Sequence, residues 1–214
     1  MSAVLFAQDQ YMRLAQTGKI DWENDTINVA LVDEFSPTYS AWAASTSYSE
    51  GDIVIPTSRN GRRYRAMNAG TSASSEPTWP TTDGGQVDDN DITWEEYGGE
   101  HADETYWDDI SGNEVSGTNY TEGGKTLSGA VAANLAADPA ITELDAEDVT
   151  WTNLTATFRH GVIYKAGSAG SDDYILGYVL MNDSMQDVSV DGVDFSLKWA
   201  VEGLFRIGRK GNVG

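Results

Sequence analysis

The feature that most constrains this chain is the interval from Trp42 to Tyr97, where Trp42, Tyr48, Tyr64, Trp79 and Trp94 are spread through a stretch dense in Gly, Ser, Thr, Pro and Asp. So short a stretch buries only a small core, and each large ring removes about 150 to 250 Å² of surface from water, so rings fill it efficiently. Its punctuation is that of short strands. Gly51-Asp52 precedes the apolar run Ile53, Val54, Ile55, and Asn60-Gly61 turns the chain before Arg63, Tyr64, Arg65 and Ala66, a hairpin signature. Gly70 to Pro80 cannot continue a helix, and Val87 to Trp94 offers one further strand. These signals assign residues 39–98 to a small inserted β module, and residues 1–38 and 99–214 to one discontinuous body.

The body reads as all-β with one N-terminal helix. Val4, Leu5, Ala7, Tyr11, Met12, Leu14 and Ala15 recur at helical spacing and Gly18 supplies a stop. Thr26 to Val32 is rich in β-branched residues and predicts a strand, ended by Asp33, Glu34 and Pro37. Beyond the module, Glu100 to Glu114 is acidic with no Lys or Arg, yet Tyr106, Trp107 and Ile110 within it predict a loop partly docked on the body. A turn from Gly117 leads into a strand through Val131. Short strands are then expected at Val149 to Leu154, Thr157 to Lys165, Tyr174 to Met181, Val193 to Ala200 and Gly203 to Ile207, separated by turn signals such as Asp191-Gly192. That spacing predicts an antiparallel β-sandwich or a barrel-like body.

Charge narrows the function. The 214 residues carry a formal net charge of −21, which disfavours nucleic acid because phosphate contacts need clustered Lys and Arg. There is no cysteine, so disulfides and thiolate metal sites are excluded. Met1 to Gln10 lacks the basic start and apolar run of a signal peptide, and no stretch approaches the roughly 20 apolar residues that span a bilayer. The expectation is a protein made in its host cytoplasm without a signal peptide and without a membrane partner.

Gly124-Lys125-Thr126 resembles the end of a phosphate-binding loop, but that motif needs Gly where Asn119 stands and a helix where Leu127-Ser128-Gly129-Ala130 follows. His101, near Asp103 and Glu104, and His160 are the only histidines and form no zinc pattern. Asp83, Asp88, Asp89, Asn90 and Asp91 put oxygen ligands at close spacing, but the frame of a calcium loop is absent, and a solvated acidic turn is the simpler reading. No catalytic, cofactor or metal residues are therefore assigned, and no enzymatic activity. Trp42, Tyr64, Trp79 and Trp94 are candidate glycan-binding rings, with core packing as the competing role. Arg59, Arg62, Arg63 and Arg65 form the single basic cluster, a candidate subunit interface that faces carboxylates of a neighbouring copy or, in the alternative, water.

Two resemblances follow from motif order. The module's Trp42, Tyr48-x-x-Gly51-Asp52-x-Val54, Asn60-Gly61-x-x-Tyr64-x-Ala66, Ala69-Gly70-Thr71-Ser72, Glu76-Pro77-x-Trp79 and Thr93-Trp94 resemble a module inserted into phage structural proteins, and loosely resemble small chitin-binding modules. In the body, Asp25-Thr26-Ile27-x-Val29-Ala30-Leu31, Gly117-x-x-Tyr120-Thr121-x-Gly123-Gly124, Asp148-Val149-Thr150-Trp151, Arg159-x-Gly161-Val162-Ile163-Tyr164, Leu176-Gly177-Tyr178 and Phe195-x-Leu197-x-Trp199 are similar in order to a family of small virion proteins of tailed phages. That resemblance implies a structural protein on the outer surface of the virion, a capsid decoration or cement protein whose partners are the major capsid protein and neighbouring copies of itself. A trimer is one symmetric arrangement open to such copies. The alternative it leaves is a tail- or fibre-associated protein that binds a receptor or a host surface glycan through the module.

Overall fold

The structure, a computed structural model, describes residues 4–7, 14–15, 17–33, 39–100, 106–135, 138–181, 186–200 and 203–208. In chain order the strands are β1 (Val4–Ala7), β2 (Ile27–Val32), β3 (Ser47–Tyr48), β4 (Ile53–Val54), β5 (Arg62–Ala66), β6 (Gly70–Thr71), β7 (Gln86–Asp89) and β8 (Ile92–Gly99). They continue with β9 (Lys125–Thr126), β10 (Val131–Leu135), β11 (Asp138–Asp145), β12 (Val149–Phe158), β13 (His160–Lys165), β14 (Ile175–Leu180), β15 (Val188–Leu197) and β16 (Phe205–Gly208). Between β8 and β9 the chain makes two short 3-10 turns, Trp107–Asp109 and Ser111–Asn113.

The body is built on a five-stranded sheet in the order β1-β14-β13-β2-β9, with every pairing antiparallel. On one face, Val29, Leu31, Ile163, Leu176, Val179 and Met181 pack against Trp151, Leu154, Phe158, Val188 and Leu197 of the paired strands β12 and β15. On the other, Val32, Val162, Ile175, Tyr178 and Leu180 pack against Ile110, with Trp107 alongside. Burial on both faces explains why β14 reads as a continuous apolar run with no alternation. Strand β12 does alternate, but the pairing shifts between Trp151 and Leu154, and Asn153 adopts φ +52°. That irregularity adds a residue and returns Leu154 to the core face. A third sheet, β10-β11-β16, adds Leu144 and Phe205 to the main core.

The expected N-terminal helix is corrected. Val4–Ala7 forms β1, pairing from Val4 with Leu180 to Ala7 with Gly177. Four apolar residues beside the open edge of β14 satisfy their backbone groups in the sheet, and that tertiary partner outweighs a weak helical period. Leu14 and Ala15 are helical, while Tyr11 and Met12 lie outside the described residues. The antiparallel β character is as expected, but the sheets are separate and do not close into a barrel. The expected strands at Val149, Thr157, Tyr174, Val193 and Gly203 correspond to β12 to β16 with shifted ends. Strand β11, at Asp138–Asp145, is not among the strands expected from the sequence.

The module contains a four-stranded antiparallel sheet, β4-β5-β8-β7, and the small pair β3-β6. The expected hairpin forms, with Ile53 opposite Arg65 and Val54 opposite Tyr64. Val87 to Trp94, expected as one strand, is itself a hairpin in which Asp89 pairs with Ile92. Its two-residue turn places Asn90 at φ +56°, a conformation that Asn tolerates well.

Candidate functional site

The module's rings form its core. Trp42, Tyr64 and Trp94 are buried together with Val54, Ala66 and Ile92, and Tyr48, Trp79 and Val87 pack against them. Trp79 lies tilted on Tyr64 with ring centroids 4.3 Å apart, and Tyr48 meets Trp94 edge-on at 5.0 Å. The indole N–H groups of Trp42 and Trp94 both donate to Asp89 Oδ2, at 2.8 and 2.9 Å, while the Ala73 amide donates to Asp89 Oδ1 at 2.9 Å. Tyr64 donates its hydroxyl to the Pro80 carbonyl at 2.7 Å, and burial pushes its pKa upward. Of the four candidate glycan-binding rings, Trp42, Tyr64 and Trp94 therefore present no open face for a sugar. Only Trp79 is partly exposed, and its indole N–H donates to Glu76 at 2.8 Å.

The acidic turn is likewise absorbed. Asp89 is buried under the two indoles, Asp88 accepts from the Thr93 hydroxyl at 2.9 Å, and Asp83 meets Arg62 at 3.2 Å. Among the described residues no group of three or more His, Asp or Glu is placed to hold a metal ion.

The four arginines, the candidate subunit interface, find partners within the chain. Arg62 pairs with Glu96 at 2.7 Å and Arg65 with Glu95 at 3.0 Å. Arg63 is buried: its Nε donates to the Tyr97 carbonyl at 2.8 Å, its Nη1 to the Tyr39 hydroxyl at 2.9 Å, and its guanidinium lies over both rings. One side chain thereby ties the entry of the module to its exit. Arg59 grips Glu100, a fully buried carboxylate at the exit, through Nη2 at 2.9 Å and Nε at 3.2 Å.

This joint closes on the outer face of the central sheet. The Gly61 carbonyl accepts from both the Glu100 amide and the Tyr178 hydroxyl, each at 3.0 Å. A Cβ on Gly61 would come within 2.3 Å of Leu180, and one on Gly99 within 2.3 Å of the Tyr178 hydroxyl, so bare backbone is what lets the module sit this close. Nothing local in the sequence announces that contact, because its partners lie 79 to 119 positions apart.

A second feature lies on the same face, beyond Tyr164. The 106–114 segment docks there through backbone bridges from Tyr106 to Tyr174 and from Glu114 to Val32, as expected for the acidic loop, while His101, Asp103 and Glu104 lie outside the described residues. A cleft of about 640 Å³ opens beside it, walled by Trp107, Asp108, Glu114, Glu122, Tyr164 and Asp173 among others. Trp107 stacks flat on Tyr164, with centroids 4.5 Å apart and planes at 11°. Glu114 Oε1 accepts from the Tyr120 hydroxyl and the Gly123 amide, both at 2.7 Å. Burial raises the pKa of Glu114, and burial together with that hydrogen bond raises the pKa of Tyr120. Lys125–Thr126, the segment with the nucleotide-loop resemblance, is edge strand β9 paired to β2. His160 is fully buried in β13.

Compared with family models, with curated proteins and with solved structures, the chain has no significant match.

Proposed function

We propose that this chain is a non-enzymatic structural protein of a tailed-phage virion, a decoration or cement protein whose body docks on the outer capsid surface while the module is displayed outward. The observation that carries the reading is the two-core build. The module holds its own core, Arg63 ties its two ends together, Arg59 pairs with Glu100 at its exit, and the Gly61 carbonyl holds it to Tyr178 of the central sheet. Such an arrangement suits presentation of a unit at a fixed position on a lattice. The ordered body motifs, from Asp25-Thr26-Ile27 to Phe195-x-Leu197-x-Trp199, support the same reading by resemblance. Many copies bound to the assembled shell stabilise it by mass action, and the high negative charge keeps free copies apart.

The alternative, a tail- or fibre-associated protein that binds a receptor glycan, loses support from the burial of Trp42, Tyr64 and Trp94. Mixing the purified protein with heads that lack it, and counting bound copies by cryo-microscopy, separates the two. Many copies in register with the capsid lattice, retained when residues 41–97 are deleted, are expected. A few copies at one vertex, or none, would overturn the decoration reading.

A further inference from the structure

We infer that the free edge of β10 is a self-association surface, on which a second copy of this chain adds its own β10 antiparallel across a two-fold axis. The inference concerns the chain alone in solution and is independent of the virion reading. Strand β10 is the outer strand of its sheet, and Val131, Ala132, Ala133 and Asn134 are all exposed, so neither face of the strand is covered. Copies that each carry a net charge of −21 repel one another, so they associate best through a surface that is apolar and free of carboxylates. No charged residue occurs from Thr126 to Ala137. Among the described residues, four large hydrophobic side chains are exposed. Met67 and Tyr97 adjoin Arg65, and Val193 precedes Asp194 in a strand that also carries Asp191. Val131, at 48% exposure, has no charged neighbour along its strand.

Exposed edges are ordinarily guarded by charge, Pro or a bulge. Strand β15 has Asp191, Asp194 and a shifted register, whereas β10 pairs with β11 without irregularity from Val131 to Asn134 and carries no charge or Pro. Its guard comes from another segment: the Ala132 amide donates to Glu23 Oε1 at 3.2 Å, away from β11. By antiparallel alternation the backbone groups of Asn134 also face outward, while those of Val131 and Ala133 bond to β11. A copy centred on Ala133 therefore exchanges both N–H···O bonds between Ala132 and the partner's Asn134, and again between Asn134 and the partner's Ala132. Ala133 meets its counterpart at the axis, where the small side chain allows the approach of about 4.5 Å that such a pair requires. Glu143, opposite Ala133 on β11, then stands three strand spacings from its counterpart, about 14 Å. That exceeds the screening length of about 8 Å at physiological salt, so the like charges tolerate the contact there and oppose it at low salt.

Sedimentation velocity of the full chain over a range of concentrations, at about 0.02 M and about 0.5 M NaCl, tests this. A reversible monomer–dimer equilibrium is expected, tighter at the higher salt. Ala133→Glu, which sets two carboxylates against each other at the axis, should abolish it. Ala132→Pro removes the outward donor without touching the bonds to β11 and should weaken the dimer about tenfold or more. Both positions are exposed, and either variant supplies the reading if the other does not fold. Glu23→Ala, which uncaps the Ala132 amide and removes a charge, should tighten the dimer. A monomer at every concentration and salt, association that weakens as salt rises, or a dimer that neither edge variant weakens would overturn the proposal. A monomer whose Ala132 and Asn134 amides gain protection from hydrogen exchange only when phage heads are added would also overturn it, and would give the edge to a capsid strand.

Discussion

The module closes its core with rings around a carboxylate, whereas the body closes its core with aliphatic strands pressed between sheets. In the module, Trp42, Tyr64 and Trp94 supply most of the buried volume, and Asp89 ties two indoles and the Ala73 amide into one network. In the body, Ile27, Val29, Leu31, Ile163, Leu176 and Val179 fill the space behind Trp151 and Phe158. The difference is one of scale. A unit of about sixty residues has too little interior for layers of Val and Leu, so it depends on a few large rings and on a buried polar group that fixes their positions. Losses in the module should therefore be concentrated in few residues, and losses in the body spread over many.

Trp94→Ala is expected to have the largest effect, about 3 to 5 kcal/mol, because it empties the centre of the module core. Phe158→Ala costs a similar amount in the body, so the comparison breaks if chemical denaturation shows both variants losing the same region. Asp89→Ala comes next, at about 2 to 4 kcal/mol, since it leaves two buried indole N–H groups and a backbone amide without their acceptor. Loss of module tryptophan fluorescence on urea unfolding at a lower midpoint than in the wild type would report it; an unchanged midpoint would show that the network is dispensable.

Tyr178→Phe acts on the joint and on neither core. It removes one donor to the Gly61 carbonyl and should cost about 1 kcal/mol, read as a small shift of the denaturation midpoint. Glu114→Gln should have the smallest effect, and a pH-dependent one. The folded state holds the Glu114 carboxyl above its ordinary value of 4.5, so between that value and the raised one the folded chain binds more protons than the unfolded chain. The stability contributed by this group is present at low pH and falls as pH rises through that window. Glutamine cannot titrate, so the variant should gain on the wild type as pH rises above 4.5 and through the raised value; a difference that stays constant as pH rises from below 4.5 would contradict the assignment.

The sequence made some of this legible and concealed the rest for physical reasons. Gly51-Asp52 and Asn60-Gly61 marked the β4–β5 hairpin because turn chemistry is local, and the tryptophans marked a ring-filled core because nothing else in the interval is large enough. Asp89 was hidden, since a carboxylate among Asp88, Asn90 and Asp91 reads as solvated until two indoles from opposite ends of the module converge on it. The arginines read as a surface cluster because their partners, Tyr39, Tyr97 and Glu100, become neighbours only when the module's ends meet. Val4–Ala7 misled because a run that short has no period of its own, and its structure is decided by the free edge of β14. The Trp107 cleft was invisible for the same reason as the joint, being assembled from segments about sixty residues apart.

Native-state hydrogen exchange on the wild type and on Trp94→Ala tests the two-core account most directly. The account predicts that the variant loses protection across Ile53–Val54, Arg62–Ala66, Gln86–Asp89 and Ile92–Gly99, while the amides of Val149–Phe158, His160–Lys165 and Ile175–Leu180 keep theirs. Loss of protection in both sets together would contradict it, and would show that the joint at Gly61 and Tyr178 fuses module and body into one cooperative unit.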